Sequence, residues 1–146
     1  MIFIGIQGAG KSTFYKERFF ATHLRINLDM LRTRHREKRL LETCIEIGQR
    51  FVVDNTNPTR EGRAVYIRAA KEAGFRVTGY YFQSHVEDCR RRNDQRPAGQ
   101  RIPLRGILGT AGRMELPSLE EGFDELYYVK IDEGVGFVVE EWKDEV

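Results

Sequence analysis

The sequence predicts an α/β fold, with a central, mostly parallel sheet of about five strands flanked by helices, in one domain spanning residues 1–146. Three observations carry this expectation. Short apolar runs alternate with longer amphipathic stretches, the pattern of βαβ units. The first run, Met1–Ile6, passes through a glycine-rich turn straight into an amphipathic stretch. A chain of 146 residues is also the length of one domain and buries most of the surface its unfolded form exposes.

The elements follow in order. Met1–Ile6 reads as a buried strand and Lys11–Phe20 as a helix. Leu24–Asn27 is a short strand after the polar break Thr22-His23. Glu37–Ile47 places Leu40, Leu41, Cys44, Ile45 and Ile47 at near-helical spacing, and Gly48 ends it. Phe51–Val53 is a third strand, stopped by Asp54-Asn55. Thr59 caps a helix that runs to Ala73 and stops at Gly74. Phe75–Phe82 is a fourth strand, rich in aromatic and β-branched residues. Val86–Asn93 is helical, and Asp94–Arg101, with Pro97 and Gly99, is a mobile surface segment. Pro103–Met114 is a helix weakened by three glycines. Leu126–Ile131 is the fifth strand, and Gly136–Trp142 adds an antiparallel edge strand.

Composition removes several classes. Hydrophobic residues make up 40% and charged residues 32%, which is globular and neither disordered nor fibrous. Lys and Arg number 24 against 22 Asp and Glu, so bulk charge does not announce a nucleic-acid binder, and only local clustering can. Cys44 and Cys89 show no zinc or redox spacing and read as reduced thiols of a cytoplasmic protein. Met1–Ile6 is too short for a signal peptide or a membrane span, so no membrane partner is expected.

The strongest motif is Gly5-Ile6-Gln7-Gly8-Ala9-Gly10-Lys11-Ser12, a full match to G-x-x-x-x-G-K-[ST]. Gly8 and Gly10 open backbone torsions closed to other residues, so consecutive N–H groups can point at phosphate oxygens. The helix that follows adds its positive N-terminal end. Lys11 places a point charge on the β and γ phosphates, and the Ser12 hydroxyl ligates Mg²⁺. With the right flanking elements, the motif predicts the P-loop kinase fold, with ATP or another nucleoside triphosphate as ligand.

Two further segments fall at strand carboxyl ends, where open α/β sheets bind ligands. In Asn27-Leu28-Asp29-Met30-Leu31-Arg32, a helical turn would put Asp29 and Arg32 on one face. Asp29 could then take a proton from an attacking hydroxyl while Arg32 holds an acceptor phosphate. A capping Asp beside a surface Arg fits the segment equally well. In Asp54-Asn55-Thr56-Asn57-Pro58, Asp54 stands where a Walker-B acid would meet Mg²⁺. The same five residues also suit an ordinary turn.

Arg90-Arg91-Arg92-Asn93-Asp94-Gln95-Arg96 precedes the Pro/Gly stretch, as a lid segment would. Arg92 and Arg96, four apart, can address one ligand. A solvated charged face or a patch for a nucleic-acid backbone accounts for the run as well. His23, His35 and His85 lie outside every motif and carry no assigned chemistry.

Taken in order, Gly5–Thr13, Asn27–Arg32, Val52–Pro58 and Arg92-Asn93-x-x-Arg96 make the chain resemble the 5′-hydroxyl polynucleotide kinases. These are the kinase modules of phage and bacterial end-healing enzymes and of the animal polynucleotide kinase-phosphatase. Pro117–Glu125 resembles the family's segment before its last core strand. The resemblance implies Asp29 as general base on the 5′-OH and Arg32 as the grip on the phosphate of the acceptor's terminal nucleotide. It implies Arg92 as the lid arginine on the transferred phosphoryl group and Arg96 as a second nucleotide contact. Lys11 joins Asp29 and Arg92 as catalytic, and Gly8, Ala9, Gly10, Lys11, Ser12 and Thr13 bind nucleotide. Thr56 and Asn57 line the acceptor side, and Ser12 with Asp54 holds Mg²⁺.

The expected activity is ATP-dependent transfer of the γ-phosphate to 5′-OH ends of DNA or RNA. The implied partners are a nucleoside triphosphate, a 5′-OH oligonucleotide and other end-healing modules. A small-molecule or nucleoside kinase, and a nucleotide-hydrolysing switch, are the alternatives the residues leave open.

Overall fold

A computed structural model describes residues 1–143; positions 144–146, the end of the expected domain, lie outside the described residues. Its centre is a six-stranded sheet built from β1 (Ile2–Ile4), β2 (Leu24–Ile26), β3 (Phe51–Asp54), β4 (Thr78–Phe82), β5 (Glu125–Asp132) and β6 (Gly136–Glu141). The spatial order is β2-β3-β1-β4-β5-β6, parallel throughout except for antiparallel β6. Helices α1 (Lys11–Arg18), α2 (Leu28–Leu31), α3 (Arg34–Ile47), α4 (Arg60–Glu72), α5 (Val86–Asp94) and α6 (Leu104–Arg113) complete the regular elements of the described residues, with short 3₁₀ turns at Ala98–Gln100 and Leu119–Glu121. The mostly parallel sheet with its antiparallel edge is thus as the sequence reads.

The side-chain period of two divides the core in two. Ile2 and Ile4 point to one face, where Leu41 and Cys44 of α3 and Tyr66, Ile67 and Ala70 of α4 cover them. Phe3 points to the other, with Phe14 of α1, Cys89 of α5 and Ile107 of α6. Phe3, Phe14 and Phe82 meet edge to face there, with ring centroids 5.1 to 5.8 Å apart, the arrangement aromatic quadrupoles favour. Cys44 and Cys89 are both buried as free thiols, on opposite sides of the sheet.

Some boundaries move, each for a local reason. Helix α1 stops at Arg18 rather than Phe20, because Phe19 already leaves helical torsions. Helix α3 starts three residues before Glu37, because Thr33 accepts a hydrogen bond from the Arg36 amide as N-cap. Thr59 caps α4 as expected, receiving the Gly62 amide. Phe75–Val77 is not strand. Gly74 takes φ 81 and the Phe75 amide folds back onto the Ala70 carbonyl at 2.9 Å, so these residues finish the helix exit.

Strand β1 lies between β3 and β4, and the chain crosses from one side of it to the other between those two strands. This switch point opens a crevice at the carboxyl ends of β1 and β3. Among the described residues no helix is long and apolar enough to cross a membrane.

Candidate active site at the carboxyl edge of the sheet

The loop after β1 is held on three sides. Its Gly5 amide bonds to the Thr56 carbonyl at 3.0 Å, and its Ile6 amide bonds to Ser84 Oγ at 3.2 Å. Gly8 has φ 83, and a Cβ there would collide with the Cys89 carbonyl on α5, so two reasons require glycine. Gly10 takes φ 96 and immediately precedes α1. Lys11 is buried and donates from Nζ to the Gly5 and Ile6 carbonyls, both at 2.8 Å. The ammonium thus lies across the loop that would receive the phosphates. Gly8, Gly10, Lys11 and Ser12 line the cleft of about 610 Å³. Ala9 is buried behind the loop, and Thr13 sits exposed on the first turn of α1; neither lines the cleft.

Burial pushes the Lys11 ammonium down to about 8, against the pull of the Asp54 carboxylate. The folded protein therefore sheds this proton before the unfolded chain does. Between about 8 and the ordinary lysine value of 10.5, stability should rise with pH as the cost of burying the charge is relieved. A bound triphosphate would restore the charge, so nucleotide binding above pH 8 should take up a proton. Calorimetry of ATP-analogue binding at pH about 8.5, in two buffers of different ionisation heat, should register most of one proton taken up. The uptake should vanish in Lys11→Met. An affinity flat across that range would mean that Lys11 stays charged throughout.

The register of β3 against β1, with Asp54 opposite Phe3, brings Asp54 beside the loop. Ser12 Oγ donates to Asp54 Oδ2 at 3.1 Å. A hydroxyl and a carboxylate are hard oxygen donors, and Mg²⁺ typically takes one or two such protein ligands plus substrate phosphates. The pair therefore fits the ion that the motif implies. One residue that sequence reasoning missed completes this corner: Arg25 of β2 bonds to both Asp54 and Ser12.

The expected acceptor side is the region around α2. Its N-cap is Asn27, not Asp29: Asn27 Oδ1 accepts the Met30 amide at 2.8 Å, while Nδ2 donates to the Asp54 carbonyl at 2.6 Å. The Leu28 amide donates to Asn55 Oδ1 at 2.9 Å. The N-terminal end of the turn is thereby fastened twice to the end of β3. Asp29 lines the cleft, and among the described residues its carboxylate has no hydrogen-bond or ion-pair partner. Its charge is also felt at Lys11.

Arg32 departs from the expected shared face. The helical turn ends at Leu31, and Arg32 has φ 76, which takes it off the helix path. It does not line the cleft, whereas Arg34 two residues later does. Arg34 donates from Nη1 to Glu37 Oε1 at 3.0 Å. Glu37 is buried and also accepts from Tyr66 Oη at 2.7 Å and Asn55 Nδ2 at 3.0 Å. Burial and then the Glu37 hydrogen bond push the Tyr66 phenol up to about 12. Glu37 thus fixes Asn55, and Asn55 fixes α2. An i,i+3 pair with Arg34 is all that the sequence shows of Glu37, because Asn55 and Tyr66 lie 18 and 29 residues away.

Thr56 and Asn57 line the cleft. Asn57 has φ 46, and its Nδ2 is committed to the Phe3 carbonyl at 2.7 Å, so its amide clasps the turn to β1. In the lid segment, Arg96 lines the cleft. Arg92 instead donates from Nη1 to the Gly8 carbonyl at 3.1 Å, against the phosphate loop. Asn93 closes the lid's base, donating to the Ile102 carbonyl at 2.7 Å and accepting the Ile102 amide at 2.9 Å.

Residues 1–117 match the model of a family described as an AAA domain. The chain is 28% identical over 127 residues to the bifunctional polynucleotide phosphatase/kinase of Schizosaccharomyces pombe, covering 84% of this chain and 31% of that protein. It is 29% identical over 133 residues to a putative bifunctional polynucleotide phosphatase/kinase of Acanthamoeba polyphaga mimivirus, covering 86% of this chain and 32% of that one. The chain thus spans about a third of the length of these curated relatives. Among solved structures, Chaetomium thermophilum Kti12 in complex with ADP-AlF3 superposes with a TM-score of 0.67 at 16% identity, covering 91% of this chain and 90% of that one. A structure from the PezAT toxin-antitoxin system of Streptococcus pneumoniae gives 0.64 at 14% identity, covering 94% and 69%. At such identities the last two establish the fold alone.

Proposed function

We propose, from the premise that this chain belongs to the AAA domain family and carries a P-loop kinase-type domain, that it phosphorylates 5′-hydroxyl ends of DNA or RNA with ATP. The observation that carries the reading is Asp29: a carboxylate with no partner among the described residues, lining the same cleft as the phosphate loop, on a turn fastened to the end of β3. A nucleotide switch needs no such acid, because it has no acceptor hydroxyl to activate. The polynucleotide class draws on the names of the two curated relatives. A cytoplasmic location and association with other end-healing modules belong to the same proposal.

In the proposed mechanism, Lys11 exchanges the Gly5 and Ile6 carbonyls for phosphate oxygens, joined by amides at the N-terminal end of α1. Mg²⁺, held by Ser12 and Asp54, would neutralise charge on the β and γ oxygens. Asp29 accepts the proton of the 5′-OH as that oxygen bonds to the γ phosphorus. The bond from the γ phosphorus to the bridging oxygen breaks, and ADP leaves with the electron pair. Arg96 from the lid and Arg92 from beside Gly8 answer the charge that develops on the transferred group. Thr56 and Asn57 border the acceptor, and Arg32, which stands off the cleft, would have to swing toward it to grip the phosphate of the acceptor's terminal nucleotide.

The test is transfer of labelled γ-phosphate from ATP, with Mg²⁺, to a short 5′-OH oligonucleotide, beside free nucleosides and a control without acceptor. Label on the oligonucleotide end supports the proposal. Label on nucleosides alone would move the chain to the small-molecule kinases. Release of free phosphate alone, insensitive to any acceptor, would favour a switch.

A further inference from the structure

Arg25 stands at the centre of the magnesium corner. It is the middle residue of β2, paired in parallel register with Val52 of β3, so its side chain reaches along the sheet toward Asp54. Nε donates to Asp54 Oδ2 at 2.8 Å and Nη2 donates to Ser12 Oγ at 2.9 Å, while the Ser12 hydroxyl donates to the same Asp54 oxygen. One guanidinium therefore bridges the two oxygens that the phosphate-loop reading gives to Mg²⁺. Its position is defined further by the Tyr15 ring, 6.0 Å from Cζ to the centroid. Asp54 is 1% exposed and Arg25 26%, so the pair is shielded on the carboxylate side and open toward the cleft on the arginine side.

We propose that Arg25 is a tethered cation that holds the Ser12–Asp54 pair in the nucleotide-free protein and must leave it when Mg²⁺ arrives with the triphosphate. This rests on the reading of the cleft as a magnesium-nucleotide site. A buried carboxylate such as Asp54 needs a counter-charge in every state of the protein. Mg²⁺ binds oxygen at about 2.0–2.1 Å in near-octahedral geometry, which a guanidinium bonded to both ligands obstructs by charge and by volume. Free Mg²⁺ has to displace a cation attached to the same fold, which is always at hand. A nucleotide brings anionic phosphates that supply the remaining ligands and offer the released guanidinium a new partner in the same cleft. Metal binding thereby becomes conditional on nucleotide, and the metal does not occupy the site by itself.

Mn²⁺ serves as the probe, its free concentration read by electron paramagnetic resonance in the absence of nucleotide. Arg25→Met is expected to bind one Mn²⁺ about tenfold or more tightly than the natural sequence, because the binding-competent state is no longer a minor one. Asp54→Asn added to Arg25→Met should abolish that gain. Mg²⁺ alone should raise the melting temperature of Arg25→Met and leave that of the natural sequence unchanged. If Arg25→Met does not fold, Arg25→Lys, which cannot span both oxygens as a fork, should show the same changes in smaller degree.

Equal Mn²⁺ affinities in the natural and substituted proteins would overturn the proposal, as would stoichiometric Mn²⁺ on the nucleotide-free natural protein. A separate arm adds Mg²⁺ with a non-hydrolysable ATP analogue to the natural protein. No thermal shift there would overturn the nucleotide reading and this proposal with it. A shift there alongside equal Mn²⁺ affinities overturns the Arg25 proposal alone.

Discussion

Asp29→Ala is expected to lower phosphoryl transfer by about 10²–10⁴-fold, the range contributed by a positioned general base. Nucleotide affinity should change little, by about threefold or less, since the loss falls on an interaction made in the transition state. The separation follows from the way the turn is held. Asn27 and Asn55 fasten α2 through its backbone, and Asp29 takes no part in either attachment. Removing its carboxylate leaves the turn, the cap and the cleft wall in place. Asp29→Asn keeps the shape and removes the basicity, so it should be nearly as inactive. Single-turnover transfer to a 5′-OH oligonucleotide, beside calorimetric binding of an ATP analogue, separates the two quantities. A collapse of nucleotide binding would make Asp29 structural; full activity would remove it from the mechanism.

What the sequence disclosed about this site follows from how far apart the partners lie. The phosphate loop is contiguous, so Gly5–Ser12 can be read directly, and the helix of Lys11 follows within the same window. The parallel sheet is also implied by alternation, because parallel neighbours need crossovers. Contacts between elements are another matter. Arg25 reads as one charged residue inside a short strand, and its meaning depends on β2 lying beside β3 in a register that aims it at Asp54, 29 residues on. Glu37 reads as one more charge in a basic helix, yet it is buried and joins Arg34, Tyr66 and Asn55. Arg32 shows the opposite failure: helical spacing puts it beside Asp29, but the turn ends one residue earlier and its backbone crosses to positive φ. Periodicity describes a helix only as far as the helix runs.

The largest stability effect is expected at a residue outside the cleft. Arg63 on α4 is 0% exposed, and its guanidinium makes a two-pronged pair with Glu121, Nε to Oε1 at 2.9 Å and Nη2 to Oε2 at 3.1 Å. Its third prong, Nη1, donates to the Asn57 carbonyl at 2.9 Å. That bond helps to hold Asn57 at its positive φ, and the neighbouring Thr56 carbonyl in turn receives the Gly5 amide at the root of the phosphate loop. Glu121→Ala would strand a buried guanidinium without a counter-charge, a change that typically costs about 3–5 kcal/mol. For a chain of this length that is a fall in melting temperature on the order of 10 °C. Glu121→Gln keeps an acceptor for one prong and should cost less. Arg63→Met combined with Glu121→Leu removes both charges and should recover most of the loss, because an apolar pair of similar volume often matches a buried ion pair. Urea and thermal unfolding of the four proteins decide it. A Glu121→Ala loss below about 1 kcal/mol would mean that solvent reaches Arg63 when its partner goes, as it does at surface pairs. A large loss that the double substitution fails to relieve would locate the stabilisation in the two bonds that it also removes, from Arg63 to the Asn57 carbonyl and from the Ser118 amide to Glu121.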